Sequence, residues 1–172
     1  MPVILVTPEQ FEALKNDPRW KDIQKGDMTM QRYVCGFLFD ERNTNVLLML
    51  KARPAWQKGM LNGVGGHIEK EETPEQAMGR EWAEETDGLE MQWMHFATLS
   101  GEDFEVFFYR ATGGTAFLTS QSDEEHLVVC DPAALPTNVI PNLKYLIPMA
   151  SFDNRRDWPY GIHERSVSGG SQ

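Results

Sequence analysis

Apolar residues run almost unbroken through Arg32–Phe39 and again through Asn45–Lys51, with the polar stretch Asp40-Glu41-Arg42-Asn43-Thr44 between them. Short apolar runs bounded by turn residues predict two strands joined as a hairpin. Met94–Leu99 and Phe104–Arg110 repeat the arrangement around Ser100-Gly101-Glu102-Asp103, and His126–Cys130 predicts a further short strand. Elsewhere the spacing turns helical: Leu143, Leu146, Ile147 and Ala150 predict a helix over Asn142–Ala150. The tetrapeptide Thr-Pro-Glu-Gln occurs twice, at Thr7–Gln10 and Thr73–Gln76. In each copy Thr suits the N-cap, Pro the first helical position and Gln the returning arm of a capping box. Helices are therefore expected over Pro8–Lys15 and Pro74–Thr86, the second stopping at Asp87-Gly88, where glycine can adopt the left-handed conformation. Strand pairs interrupted by one helix and closed by another predict an α+β fold, with a mixed sheet between helices.

The chain of 172 residues suits one principal domain. The pattern divides it into an N-terminal strand and helix extension over residues 1–30, a domain over 31–150, and a polar tail over 151–172 whose Ser/Gly-rich end is expected to be mobile. Twenty-six Asp and Glu against sixteen Lys and Arg leave a formal charge of −10. Such a surface argues against binding nucleic acid polymers or anionic membranes, both of which need positive charge. A protein of this charge that handles phosphates must recruit cations. The two cysteines, Cys35 and Cys130, lie in apolar runs and read as buried reduced thiols. No basic leader opens the sequence, and no apolar run reaches the roughly 18 residues of a membrane span, so a soluble, cytoplasmic chain is expected.

The informative chemistry lies between Gly65 and Gly88. Seven of the seventeen residues from Glu69 to Glu85 are Glu, and Glu81, Glu84 and Glu85 fall on one helix face at i, i+3 and i+4. Like charges so placed repel, and Arg80 can neutralise one of them. A run of this kind fits a solvated acidic face, or a site for a hard divalent cation, which takes oxygen ligands. Two neighbours favour the cation. Ala77, Met78 and Trp82 give the helix an apolar opposite side to pack on, and Leu61-Asn62-Gly63-Val64-Gly65-Gly66 places three glycines in four residues just upstream, so that backbone can approach a ligand closely.

Gly66, five residues, Glu72, seven residues, then Arg80-Glu81-Trp82-Ala83-Glu84-Glu85 resembles the signature box of the Nudix hydrolases. Trp82 stands where that family usually has an aliphatic residue, and Asp87 where it has a glycine, with Gly88 one place later. The resemblance implies an α/β/α sandwich that hydrolyses nucleoside diphosphates linked to another group, using Mg²⁺ or Mn²⁺. It implies Glu81, Glu84, Glu85 and the carbonyl of Gly65 as metal ligands, Arg80 as the group that orients a carboxylate, and Glu72 as an auxiliary.

A wider likeness, over roughly Tyr33–Ala150, is to the oxidised-purine triphosphatases of the family. Trp56–Gly66 is similar to a segment whose Asn bonds the purine, which puts Asn62 in that role; capping the turn is its other reading. Ser122-Asp123-Glu124 resembles a segment whose Glu binds metal or activates water, so Glu124 is the candidate base, with Glu125 its neighbour and competitor. Pro141–Pro148 resembles a stretch in which two acidic residues contact the base, but here the positions hold Asn142 and Leu143. Asn142 becomes a candidate substrate contact, and strong selectivity for an oxidised guanine is not expected. Lys51 is a candidate to steer phosphate. His67 reads either as a phosphate contact or as a solvated loop residue; Trp56, Phe37 and Phe107 read as base-stacking or core residues. The implied partner is a small nucleotide, most simply a purine triphosphate cleaved to monophosphate and pyrophosphate. ADP-ribose, a dinucleotide, or a module that senses nucleotides without turnover are the other readings, and the oligomeric state is not readable.

Overall fold

Strand β1, Gln31–Phe39, decides the layering of the molecule because its side chains alternate between two separate cores. Cys35, Phe37 and Phe39 join one cluster; Val34 and Leu38 join the other. The computed structural model describes residues 30–86, 89–114, 117, 126–151 and 158–164. Within them β2 (Val46–Leu50) returns from β1 as an antiparallel hairpin, with Leu38 opposite Leu47 and Phe39 opposite Val46. Its turn is held by Asp40, whose carboxylate accepts from the backbone N–H groups of Thr44 and Asn45 at 2.7 and 3.0 Å. The second expected hairpin is also present: β4 (Met94–Ser100) and β5 (Phe104–Thr112) pair antiparallel, with a bulge between His95 and Ala97.

Along its other side β1 runs parallel to β5 for its whole length, so the sheet is mixed. The order is β3-β2-β1-β5-β4-β7, where β3 is Leu61–Asn62 and β7 is Tyr160–His163, and β6 (His126–Cys130) pairs antiparallel with β2. Helix α1, Pro74–Thr86, covers one face through Ala77, Met78 and Trp82; helix α2, Leu143–Ser151, covers the other through Leu143, Leu146, Ile147 and Ala150. The α/β/α sandwich is thus the observed fold. Phe37 is fully buried and belongs to the core, stacked 6.2 Å from Phe108.

Two elements were not anticipated. β3 is only two residues long and takes its pairing from Met49 and Leu50. β7 lies in the segment read as a polar tail; it runs parallel to β4, Ala97 opposite Tyr160 through Ser100 opposite His163, while Trp158 packs 6.0 Å from Phe96. The expected helix over Pro8–Lys15, the helix stop at Asp87-Gly88 and the end of the tail lie outside the described residues. Among the described residues no helix is long and apolar enough to cross a membrane.

The capping box of α1 forms as read. Thr73 N–H donates to the Gln76 side chain at 2.9 Å, and Gln76 N–H returns to the Thr73 hydroxyl at 3.2 Å. At the other end Trp82 does what an aliphatic residue cannot: its indole N–H donates to the Leu89 carbonyl at 2.9 Å and holds the chain that follows the helix. Its ring meets Trp93 edge-on at 5.4 Å. The helix sits close to β1 because Gly36 has no side chain; a Cβ there would stand 2.7 Å from Met78 Cε and 2.8 Å from Trp93. Gly36→Ala is therefore expected to destabilise the fold by about 1–3 kcal/mol, as overpacked core sites do. A urea titration showing a lowered midpoint at unchanged slope checks it.

Candidate active site

The glycine-rich loop is stitched to β1 rather than projecting freely. Gly36 N–H donates to the Val64 carbonyl at 2.7 Å, Val64 N–H returns at 3.1 Å, and Val34 N–H donates to the Gly66 carbonyl at 2.9 Å. At Gly65 the fit leaves no room for a side chain, since a Cβ would lie 2.1 Å from the Val34 carbonyl oxygen. At Gly66 a Cβ would lie 2.6 Å from the Glu81 carboxylate. The loop and the acidic face of α1 are therefore in direct contact, and the two glycines are what permits it.

Arg80 organises one half of this contact. Its guanidinium forks onto Glu72, Nε to Oε1 at 2.9 Å and NH2 to Oε2 at 3.0 Å, while NH1 reaches Glu81 at 2.8 Å and Glu84 at 3.0 Å. NH2 also donates to the His67 carbonyl at 3.0 Å, tying the helix to the loop. Bidentate, charge-assisted bonds of this kind are the strong ones. Hydrogen bonding from Arg80 holds the Glu72 carboxyl below its ordinary range, and Glu72 in turn pushes Arg80 further up. Arg80 offsets one charge, as expected, but it spreads that charge over three carboxylates. The Glu84 side chain remains 59% exposed.

Glu85 is handled separately. Its Oε2 accepts from Gly65 N–H at 3.1 Å and its Oε1 lies 3.3 Å from Lys51 Nζ. Lys51 is itself buried, with its amino group 3.4 Å from Met49 Sδ, so the structure places it on Glu85 inside the carboxylate cluster. Burial raises the Glu85 carboxyl against the lowering influence of Lys51. As they stand, no three His, Cys, Asp or Glu side chains among the described residues are gathered to hold a metal ion. Arg80 draws Glu81 and Glu84 one way while Lys51 and Gly65 draw Glu85 another. The donor chemistry nevertheless fits a hard divalent cation. Among the described residues, four carboxylates against two side-chain cations leave two negative charges at one loop, and every donor is oxygen.

The remaining candidates divide. Asn62 is buried, 7% exposed, and its Oδ1 accepts from Gly63 N–H at 2.8 Å and from the Cys35 thiol at 3.7 Å, while its Nδ2 donates to Gln57 Oε1 at 3.3 Å. It does shape the turn, and Gln57 and Cys35 are partners that the sequence did not single out for this site. Cys35 and Cys130 are both free and buried, and burial pushes the Cys35 thiol up to about 12. His67 sits with its ring edge-on to Tyr33 and its Nε2 3.2 Å from Gln31 Oε1. Asn142 is 4% exposed, and neither its Oδ1 nor its Nδ2 has a hydrogen-bond partner among the described residues. Ser122, Asp123, Glu124 and Glu125 lie outside the described residues.

This geometry can be set beside known proteins. The family model described as NUDIX domain matches residues 29–149. The fold is similar to the mutator MutT protein of Bacillus halodurans, at 20% identity over 79% of this chain and 91% of that one, with a TM-score of 0.58. It is similar also to a NUDIX hydrolase of Nitrosomonas europaea, at 17% identity over 81% of this chain and 82% of that one, TM-score 0.58. A NUDIX-family hydrolase of Clostridium perfringens matches at 20% identity over 72% of this chain and 97% of that one, TM-score 0.53. Comparison with curated proteins finds no match. The domain match spans well over half of the chain, and it contains the glycine turn and the carboxylate helix just described: the chain belongs to the Nudix family.

Proposed function

We propose that this protein is a hydrolase that cleaves the pyrophosphate bond of a purine nucleoside triphosphate, releasing monophosphate and pyrophosphate with Mg²⁺ or Mn²⁺ as cofactor. The observation that carries the reading is the contact of the Gly65-Gly66 turn with Glu81 and Glu85, in a cluster whose four carboxylates outnumber Arg80 and Lys51 by two among the described residues. Glu81, Glu84, Glu85 and the Gly65 carbonyl are the proposed ligands. When bound there, the cation would screen the substrate's phosphates and activate water.

The chain's own residues supply positioning. Arg80 ties Glu72, which precedes the helix, to Glu81 and Glu84 on it. Lys51 brings a positive charge beside Glu85, where it serves a phosphate group as well as the carboxylate. Glu124 is the proposed base and Glu125 its alternative. Asn62 and Asn142 are the proposed contacts to the base. The purine reading is supported by the likeness of the Trp56–Gly66 segment to the oxidised-purine triphosphatases. The absence of paired acidic residues at Asn142 and Leu143 supports only a modest preference for 8-oxo-dGTP over dGTP.

Three outcomes test this. Turnover should vanish in EDTA, and Glu84→Gln should lower kcat more than about tenfold, because a lost carboxylate weakens Lewis-acid activation; unchanged turnover in either case rejects the metal assignment. Mg²⁺ should raise the Tm, since a ligand of the folded state stabilises it, and replacing Glu81 and Glu85 together with Gln should abolish the shift. On a panel of dGTP, 8-oxo-dGTP, dATP, dCTP and ADP-ribose, Asn62→Ala should cost about 1–3 kcal/mol in kcat/KM on the preferred purine and less on dCTP. ADP-ribose outperforming every triphosphate would transfer the assignment to diphosphate-linked substrates.

A further inference from the structure

The two cationic side chains seated among the carboxylates hold them on unequal terms. Arg80 is moored elsewhere: Nε and NH2 fork onto Glu72, and NH2 also reaches the His67 carbonyl. Yielding Glu81 and Glu84 costs it only the bonds of NH1. The Glu84 side chain is 59% exposed, and ion pairs at such positions are worth little. Lys51 and Glu85 form the opposite kind of pair. Their side chains are 10% and 25% exposed, and the ammonium lies 3.3 Å from Glu85 Oε1 and 3.4 Å from Met49 Sδ. Charges withdrawn from water act strongly on each other, and parting them is costly.

The two oxygens of Glu85 are also divided. Gly65 N–H donates to Oε2 at 3.1 Å, and that bond belongs to the loop, itself fixed to β1 through Val34 and Gly36. Oε1 is the oxygen that Lys51 holds. Lys51 directly follows β2, and its backbone is pinned on both sides. Its N–H donates to the Met60 carbonyl at 2.9 Å, and its carbonyl accepts from Gly59 N–H at 2.9 Å. The side chain therefore swings from a fixed base. An ammonium and a divalent cation repel, so Oε1 favours one of them at a time. The same ammonium, in turn, is shared between Glu85 and any phosphate that enters. Two competitions thus meet in one ion pair. Whatever draws Lys51 from Glu85 helps whatever binds Glu85, and by linkage the help is mutual.

We infer that Lys51 is the resident counter-ion of Glu85 and couples metal loading to substrate: it yields Glu85 to the divalent cation as it turns to a phosphate of the nucleotide, so that each binds more tightly with the other. This deepens the reading of the cluster as a metal and nucleotide site, and rests on it. In that role Lys51 weakens the site for metal alone. A lysine that only steered phosphate from the rim would not depend on Glu85 for its effect on the metal. Glu81 and Glu84 are under looser control, because their counter-ion stays on Glu72 whichever way they turn.

Metal binding is read directly on the full chain, with Mn²⁺ followed by the paramagnetic resonance signal of the free ion. With Mn²⁺ alone, Lys51→Met and Lys51→Gln should bind about tenfold more tightly than the unaltered chain, the effect one close charge has on a carboxylate. Lys51→Arg, which keeps the charge, should match the unaltered chain within about twofold. In a Glu85→Gln background Lys51→Met should change the affinity by no more than about twofold, because the pair is already broken. The α,β-methylene analogue of the preferred triphosphate is then added, its own Mn²⁺ complex being measured without protein. It should tighten Mn²⁺ binding about tenfold more in the unaltered chain than in Lys51→Met. Far-UV circular dichroism identifies the folded variants, and either neutral one suffices. Unchanged or weakened Mn²⁺ affinity in a folded neutral variant overturns the inference. A gain that persists with Glu85→Gln overturns it too, since Lys51 then acts as a diffuse charge. So does equal tightening by the analogue in both chains. If ADP-ribose is hydrolysed and no triphosphate is, the triphosphate reading fails, and the same expectations pass to the α,β-methylene analogue of ADP-ribose, because Lys51 answers to phosphate alone.

Discussion

Carboxylates on adjacent turns of a helix repel, and the arrangement of this site follows from how that repulsion is contained. Arg80 spans three carboxylates at once: its planar fork fills both oxygens of Glu72, just before the helix, and still reaches Glu81 and Glu84 on it. A lysine, with one compact charge, could not hold this geometry. The same guanidinium binds the His67 carbonyl, so the group that quiets the helix also fastens the loop to it. Lys51 contains the fourth charge from the sheet side. The cluster is left under-neutralised, and the apolar anchoring of α1 through Ala77, Met78 and Trp82 is what keeps it in place.

The two faces of the sheet divide the work. Helix α1 brings the acidic groups, seated by the space left at Gly36 and by the backbone pairing of the loop with β1. On the opposite face, α2 begins beside β3, and the amides of Asn62 and Asn142 stand at that junction. β1 is common to both, since Val34 and Leu38 pack toward one helix and Cys35 and Phe37 toward the other. The carboxylate helix and the junction of β3 with α2 thereby rest on a single strand, held along its full length by β5.

What could be read from the sequence was local. The capping box of Thr73 and Gln76, the hairpin at Asp40–Thr44 and the apolar face of α1 each depend on residues a few positions apart, and each formed. The spacing of Glu81, Glu84 and Glu85 was legible for the same reason. The fine structure of the site was not. That Arg80 would reach Glu72, eight residues away, or that Lys51 would meet Glu85, thirty-four away, depends on how the loop folds back onto β1. Asn62 was legible as a polar residue in a glycine loop, but its saturation by Cys35, Gly63 and Gln57 needed the packed sheet. β7 escaped because Tyr160–His163 is short and lies in polar surroundings; its strand character comes from β4, about sixty residues earlier.

That late strand changes how the sheet ends. Without β7, the backbone of Ala97–Ser100 would face solvent as a row of unpaired donors and acceptors, next to the apolar side chains of Phe96 and Leu99. An open edge of that kind is a template for another chain. By laying four residues along it, and by setting Trp158 against Phe96, the C-terminal segment closes the edge covalently from within the same molecule. The exposed flank moves outward to Tyr160–His163, where exposure alternates and a glycine interrupts the side chains. The β4 edge is thus closed within the chain itself, a constraint set by the sheet and separate from the carboxylate site.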